Sequence, residues 1–152
     1  MIGVVSAALL TSAGAVNATP TKNTIYVDGT KVNGAAYMIN NNNYFKLRDV
    51  AAMVNGSTKQ FEVSWNETNK RIDLTTNKAY TVVGGEMALP SSAVKTAKES
   101  KASVFKDGNK ADYTGYNISD NNYYKLRDLC KDMNIGVKFD LATNRVDILT
   151  TV

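Results

Sequence analysis

The chain has 152 residues, with no histidine and a single cysteine. Histidine is the commonest metal ligand and the commonest general base in proteins, so its absence removes the usual zinc sites and catalytic triads. The lone cysteine, Cys130, cannot form an internal disulfide or a thiolate metal cluster. We therefore expect no metal, no cofactor and no enzyme activity, and we expect packing to supply the stability of the fold.

The chain also lacks a strong excess of positive or negative charge. The chain carries 18 Lys and Arg against 14 Asp and Glu, a formal net charge of +4. Only Lys95, Lys98 and Lys101 cluster, and Glu99 lies among them. Because nucleic-acid-binding faces concentrate their cations, this spacing predicts a solvated linker and no nucleic-acid partner. The same diffuse positive charge would suit a weak attraction to anionic cell-wall polymers.

The N-terminal residues carry no charge up to Pro20 and are rich in Ala, Val and Leu. They lead to Val16-Asn17-Ala18, which has small residues where a signal peptidase reads, so the pattern predicts a signal peptide over residues 1–18. The apolar run is short for a membrane-spanning helix, and we expect no stable span after cleavage. These features predict a secreted or cell-surface, extracytoplasmic protein. A buried apolar N-terminal helix is the alternative, because no Lys or Arg precedes the run.

A sequence repeat is the main feature that the chain does contain. The segment from Tyr37 to Asn55 returns as Tyr116 to Asn134, and ten of the nineteen aligned positions are identical. The same spacing pairs Asp28-Gly29 with Asp107-Gly108. A repeated scaffold without a repeated catalytic group favours a structural or binding role over an enzyme.

Turn and strand signals surround the first repeated segment. Residues 24–27 predict a strand, Asp28-Gly29 a hairpin turn, and residues 31–39 the return strand. Asn40 to Asn43 predicts a second turn, after which Tyr44-Phe45 pairs back on the return strand. A plain turn is the simpler interpretation of this asparagine run, and a row of polar ligand-binding groups is the alternative.

The apolar period then changes from 2 to 3.6, which predicts one short helix in each repeat with a narrow apolar stripe that must face a sheet. Cys130 lies on the second stripe, so we expect a small core residue rather than a nucleophile. The two predicted stripes are Leu47, Val50, Ala51 and Val54, and Leu126, Leu129, Cys130 and Met133.

After each helix the alternation of apolar residues predicts a hairpin, over residues 61–74 and again over residues 135–148. Residues 79–83 predict a further strand and residues 102–105 another. The fold class is therefore α+β: two tandem repeats, each a small antiparallel sheet of about five strands packed around one short helix. The predicted organisation is signal peptide 1–18, repeat 1 at 19–83, linker 84–101 and repeat 2 at 102–152.

The tyrosines and asparagines near the Asn-rich turns are the candidate binding surface. Flat aromatic rings beside short amides are what carbohydrate-binding surfaces use, for stacking and for hydroxyl recognition respectively. Packing of the rings within the sheets is the simpler interpretation, because tyrosine is an ordinary strand residue. The candidates are Tyr37, Tyr44, Asn42, Asn43, Tyr116, Tyr123, Tyr124, Asn121 and Asn122.

One charged motif, Lys-Leu-Arg-Asp, recurs at residues 46–49 and 125–128. Its aspartates suit the first turn of a helix, where the macrodipole favours negative charge. Arg48 and Arg127 would cover apolar surface or pair with carboxylates, and a role as hooks for an anionic ligand is the alternative, so both join the candidate surface. The Arg-x-Asp pairs at residues 71–73 and 145–147 share a strand face and predict surface ion pairs.

The motif Asn-Tyr-Phe-Lys-Leu-Arg-Asp at residues 43–49, with Val-Ser-Trp-Asn at 63–66 and Arg-Ile-Asp-Leu at 71–74, resembles the copper amine oxidase N-terminal-like domain, also called the stalk domain, of secreted Gram-positive bacterial proteins. The second repeat matches at residues 122–128 and 137–148. Lys46 and Lys125 depart from the family, where many members have proline. The resemblance implies a sheet around a helix on an exported protein, without chemistry of its own. It does not imply copper, because the oxidase's copper ligands are histidines of a separate domain.

Together these features predict a non-catalytic, exported cell-surface or extracellular module that acts as a spacer or a protein-interaction domain. The alternative is a carbohydrate- or peptidoglycan-binding module that uses the Tyr and Asn surface. A cell-wall glycan or another surface protein is the expected partner.

Overall fold

The computed structural model describes residues 15–151, so the predicted signal peptide lies outside the described residues except at its end. The fold of the described part is α+β, with three sheets and two helices of eight residues. The elements are β1 (Ala15–Pro20), β2 (Thr24–Val27), β3 (Thr30–Val32), β4 (Tyr37–Ile39), β5 (Asn42–Phe45), α1 (Leu47–Val54), β6 (Phe61–Asn66), β7 (Arg71–Thr76), β8 (Lys95–Glu99), β9 (Val104–Lys106), β10 (Asn109–Ala111), β11 (Gly115–Ile118), β12 (Asn121–Lys125), α2 (Leu126–Met133), β13 (Gly136–Asp140) and β14 (Arg145–Leu149).

A closed barrel joins the two sequence repeats. Below, the first copy means residues 15–76, the second copy residues 95–150, and the connecting segment residues 77–94. The barrel has the order β1-β4-β5-β12-β11-β8, with strands from both copies. Corresponding positions of the two copies meet at its seams: Asn17 faces Thr96, and Phe45 faces Tyr124. Closure leaves no free edge between the copies in this sheet.

The other two sheets exchange hairpins between the copies. One has the order β13-β14-β2-β3 and the other β10-β9-β7-β6. The pairs β14 with β2 and β7 with β9 are parallel, and all other pairs are antiparallel. The hairpin after each helix thus pairs with the first hairpin of the other copy. The expectation that each repeat builds its own antiparallel sheet is therefore wrong.

Three local predictions are also corrected. The return strand expected over residues 31–39 is divided into β3 and β4, which belong to different sheets. Residues 79–83 are not a strand, because their amides bond to side chains: Tyr80 N donates to Asn55 Oδ1 at 2.9 Å and Thr81 N to Glu62 Oε1 at 3.0 Å. The segment expected as a solvated linker contains β8, which fills the barrel between β1 and β11 and buries Ala97 completely.

The first described strand overlaps the predicted signal peptide. Residues 15–18 pair antiparallel with β8, and Ala18 is fully buried. The second copy has Ala97 at the corresponding position, also fully buried. Cleavage after Ala18 would therefore fall inside β1.

Several local predictions are confirmed. Both apolar stripes are buried on α1 and α2, where each fully buried Leu or Val contributes roughly 1.5–3 kcal/mol. Burial raises the pKa of the Cys130 thiol to about 12, as suits a core residue. Asp28-Gly29 has φ of 48° and 86°, and Asn40 and Asn41 have φ of 50° and 66°. These left-handed values are those of tight hairpin turns.

Candidate functional site: a groove beside Trp65

The predicted tyrosine surface lies largely inside the protein. Tyr37, Tyr44 and Tyr123 are buried in the barrel, where Tyr37 meets Tyr123 edge to face at 5.2 Å between centroids and Tyr44 meets Tyr116 at 5.5 Å. Tyr124 points the other way, into the core that holds the helices. The expected open stacking face is therefore not formed by these rings, because alternation along β5 and β12 places each of them in one of two cores.

Burial also affects the phenols. It raises the pKa of Tyr44 and of Tyr123 to about 12, and in each case a neighbouring tyrosine, Tyr116 or Tyr37 respectively, adds to the shift. Half-buried Tyr116 packs against the same cluster. Burial also raises the pKa of Tyr37, so Tyr37, Tyr44 and Tyr123 act as neutral packing groups in the barrel.

The asparagines differ between the copies. Asn43 is buried, accepts a hydrogen bond from Thr21 Oγ1 at 2.6 Å and donates one to Asn23 Oδ1 at 2.9 Å, so both ends of its amide are used. Asn122 accepts from Ser100 Oγ at 2.9 Å, but Ala102 stands where the first copy has Asn23. Among residues 15–151, no acceptor binds the Asn122 amide nitrogen.

The outer asparagines hold the turns. Asn42 donates to the carbonyl of Asn40 at 3.1 Å, and Asn121 donates to the carbonyl of Ser119 at 3.2 Å. Asn121 is exposed and Asn42 is half-buried. The simple turn interpretation therefore accounts for both, and no donor between residues 15 and 151 binds the Asn121 side-chain oxygen.

The two motif arginines also differ. In the second copy the Arg127 guanidinium lies over the ring of Phe139, 4.1 Å from its centroid. In the first copy the corresponding ring is Trp65, but Arg48 lies instead by the ring of Tyr80, at 5.9 Å. Tyr80 belongs to the connecting segment and is buried. The connecting segment thus changes the environment of one copy only.

Because Arg48 lies beside Tyr80, it does not cover the indole ring of Trp65. Its side chain is 52% exposed, although the indole nitrogen donates to Glu67 Oε1 at 2.8 Å. Glu67 in turn pairs with Lys70. Among the described residues no cation stacks on the Trp65 ring, so one of its faces is accessible to a ligand.

Trp65 borders a groove of about 250 Å³, which we call the Trp65 groove. Apolar side chains of α1, β6 and β7 form part of its lining, and Lys46, Arg48, Asn121 and Asn122 supply the polar groups. Of the residues predicted from the sequence, the groove brings together Arg48, Asn121, Asn122 and Tyr124 from both copies. It does not include Tyr37, Tyr44, Asn42, Asn43, Tyr116, Tyr123 or Arg127.

The groove is electropositive. Neither Lys46 nor Arg48 forms an ion pair within the described part of the chain. Asp49, which follows Arg48 in the chain, is buried, and its pKa is raised, chiefly by loss of solvent; the charge of Lys46 opposes that rise. Lys46 precedes α1 without a side-chain cap, so the first-turn amides add positive partial charge nearby.

Trp65 was absent from the residues predicted as a binding surface. Two sequence differences could have indicated it: Trp65 stands where the second repeat has Phe139, and Ala102 stands where the first has Asn23. The decisive feature is the position of Tyr80 beside Arg48, and no local pattern predicts that contact.

The fold and groove define an α+β protein whose two repeats share every sheet. The chain matches no protein-family model, no curated protein and no solved structure. Between residues 15 and 151, no helix is long and apolar enough to cross a membrane. The same residues contain no cluster of three or more Cys, Asp or Glu side chains placed to hold a metal ion.

Proposed function

We propose that the protein is an exported, non-catalytic module that works outside the cytoplasm as a spacer or protein-interaction domain of the stalk type. The charge-free N-terminal residues and the resemblance of both repeats to stalk domains support export. The use of recurring polar groups to join the copies supports a structural role. Each of these groups is held in an internal contact rather than in an open cleft.

The observation that carries this proposal is a set of reciprocal contacts between the copies. The Asp28 carboxylate accepts hydrogen bonds from Thr150 N at 2.9 Å and Thr150 Oγ1 at 2.6 Å. Asp107 does the same with Thr76, at 3.0 and 2.7 Å. Each bond joins a turn of one copy to the end of the other copy, at the last residue of β7 for Thr76 and directly after β14 for Thr150. A spacer needs such cross-connections, because they make the two repeats resist separation together.

Two arginines repeat this arrangement. Arg145 lies over the Tyr26 ring at 3.6 Å, and Arg71 lies over the Phe105 ring at 4.0 Å. Both arginines also pair with the aspartate two residues later on their strand, as the sequence predicted. The rings belong to the opposite copy in each case, so these cations connect the exchanged hairpins.

Two experiments test the proposal. The full chain is expressed in a Gram-positive host and its cell fractions are probed. We expect it outside the membrane with its N-terminus shortened, and a full-length intracellular chain would contradict export.

The second experiment follows unfolding in urea by Trp65 fluorescence and by far-UV circular dichroism. Coincident transitions are expected from one joined unit, whereas two separate transitions would contradict it.

The second candidate, carbohydrate or peptidoglycan binding, is favoured by a specific observation, although not by the tyrosine surface. The exposed Trp65 ring borders the same groove as Asn121 and Asn122 of the second copy. Co-sedimentation with purified Gram-positive cell walls tests this function. Retention at physiological salt supports it, because diffuse charge attraction is screened over about 8 Å under those conditions.

A further inference from the structure

We infer that the Trp65 groove binds a saccharide that carries a carboxylate, with one sugar ring stacked on Trp65. This inference adds a site and a ligand class to the proposed module, and it rests on that proposal only for the extracytoplasmic setting. Its argument comes from two differences between the copies and from the charge of the residues that line the groove.

The first difference is the free aromatic face. The corresponding ring of the second copy, Phe139, is covered by Arg127 at 4.1 Å, so a sugar cannot stack there. Arg48 is held beside Tyr80, whose hydroxyl bonds to Glu86 and whose amide bonds to Asn55. Trp65 therefore presents a rigid, flat apolar face, which the C–H groups of a sugar ring can contact.

The second difference is the free amide. Asn43 has both ends of its amide satisfied within the first copy. Asn122 lines the groove, and no acceptor in the described chain binds its nitrogen, because Ala102 stands where the first copy has Asn23. Asn121 also lines the groove and carries an amide oxygen that can accept a hydrogen bond. Amide donors and acceptors are groups that can bind the hydroxyls of a sugar.

The third argument is the charge of the groove lining. Lys46 and Arg48 both line the groove without a carboxylate partner among the described residues, and an arginine binds a carboxylate through two parallel hydrogen bonds. The one carboxylate at the indole, Glu67, is already paired with Lys70. The volume of about 250 Å³ is small for a ligand pocket and fits a sugar ring with its acidic substituent rather than a folded peptide.

The probes are three soluble oligosaccharides. In trigalacturonate the carboxylate is the C6 group of each sugar. In the disaccharide of N-acetylglucosamine and N-acetylmuramic acid it belongs to a lactyl ether. Chitotriose is neutral. Trp65 is the only tryptophan, so its fluorescence reports the groove directly, and calorimetry gives the affinity. We expect at least one acidic probe to bind about tenfold more tightly than chitotriose at low salt, and the better of the two identifies the source of the acid.

Matched variants assign the site. Trp65→Ala and Asn122→Ala are each expected to weaken the acidic probe about tenfold. Phe139→Ala is the matched control for Trp65→Ala, and Asn43→Ala is the matched control for Asn122→Ala. Both controls are expected to leave the affinity for the acidic probe unchanged. Arg48→Gln is expected to remove most of the preference for acid over neutral sugar. Circular dichroism of each variant shows that the fold is retained.

Three results would overturn the inference: no binding of either acidic probe, equal binding of neutral and acidic sugars, or binding that Trp65→Ala leaves intact. Tight binding of a peptide ending in a free carboxylate, with no saccharide binding, would also overturn it and assign the groove to a protein partner. Export and cooperative unfolding do not depend on the groove, so failure here leaves the proposed module standing.

Discussion

At the scale of single residues, the second copy contains a polar atom that the first copy avoids. Within residues 15–151 no group is placed to form a hydrogen bond with the buried Tyr124 hydroxyl, while the corresponding residue of the first copy is Phe45. We expect Tyr124→Phe to raise the free energy of unfolding by about 1 kcal/mol, because an unsatisfied buried hydroxyl is costly. Thermal unfolding should show a melting temperature about 2–4 °C higher.

A neighbouring tyrosine provides the control. The Tyr113 hydroxyl donates to Asp132, and the rings of Tyr113 and Tyr124 meet at 6.3 Å. Tyr113→Phe should lower stability, since it removes a hydrogen bond to a carboxylate. If both substitutions destabilise the protein equally, the account of Tyr124 is wrong.

Asp49 gives a second residue-scale prediction. Its Oδ2 atom is buried and has no hydrogen-bond partner in the described part of the chain. Its Oδ1 atom accepts from Met87 N at 2.9 Å, and loss of solvent raises the pKa of the carboxyl. The unfolded chain then releases this proton at lower pH than the folded chain, so ionisation of Asp49 lowers stability as the pH rises from about 4 through the folded pKa. Asp49→Asn should therefore stabilise the protein at pH 7, by roughly 1 kcal/mol, and the gain should vanish in acid.

Urea unfolding of both proteins between pH 3 and pH 8 measures the difference. Asp128, the corresponding residue of the second copy, is partly exposed and accepts from Thr114 N at 2.8 Å. Asp128→Asn should show no such gain. A gain from Asp49→Asn that does not depend on pH would contradict the assignment to ionisation.

At the scale of elements, β1 decides where a signal peptide can be removed. A chain that begins at Thr19 loses the strand residues that pair with β8 and the buried Ala18. We expect it to unfold with roughly 1–3 kcal/mol less stability than a chain that begins at Ala15, because the barrel is opened and ladder hydrogen bonds are lost. Thermal unfolding of the two chains is the measurement.

The same element predicts the processed N-terminus. Ala13-Gly14-Ala15 also offers small residues at the positions that a signal peptidase reads. Cleavage after Ala15 would retain almost all of β1. N-terminal sequencing of the exported chain should therefore begin at Val16 or earlier, and a start at Thr19 would contradict the role given to β1.

The cross-copy turns are the second element-scale test. Hydrogen bonds from Thr150 and from Thr76 lower the pKa of Asp28 and of Asp107 respectively. Their contribution to stability is present above the unfolded pKa near 4 and is lost as the pH falls through the folded values. Asp28→Asn and Asp107→Asn keep a residue that tolerates positive φ, so they remove charge without breaking the turns.

Each variant should lose about 1 kcal/mol or less at neutral pH, since both carboxylates are largely exposed. The loss should diminish below pH 4, which urea unfolding over pH 2–7 can follow. Asp73→Asn disrupts an ion pair within one strand and serves as the comparison. Equal losses at every pH would show that the turns, rather than the carboxylates, are affected.

At the scale of the whole molecule, local sequence patterns predict the individual helices, turns and hairpins. They do not predict the pairing of strands that are far apart in the chain. The stripe of α1, the Asp28-Gly29 turn and the hairpin of β6 and β7 follow from period, φ preference and alternation. The sequence does not predict which hairpins lie side by side. The residues of β7 are equally suited to pair with the first hairpin of either copy. The structure has it beside β9, and this exchange turns two repeats into one unit.

The candidate site shows the same division. Residue type alone predicts Arg48, Asn121 and Asn122, but it assigns the stacking role to tyrosines that fill the barrel. The open ring is Trp65, and it is open because Tyr80, far along the chain, lies beside Arg48. That contact depends on how the connecting segment docks, which short-range patterns do not encode.

The exchange of hairpins is the central claim, and division of the chain tests it most directly. Residues 15–84 and 85–151 are produced as separate chains, cut between Gly84 and Gly85, both of which are exposed. Because each fragment lacks the partners of its own hairpins, we predict that neither folds alone as a monomer. Mixed, they should form a one-to-one complex with the circular dichroism spectrum of the intact protein. Two fragments that each fold as stable monomers and do not associate would contradict the account.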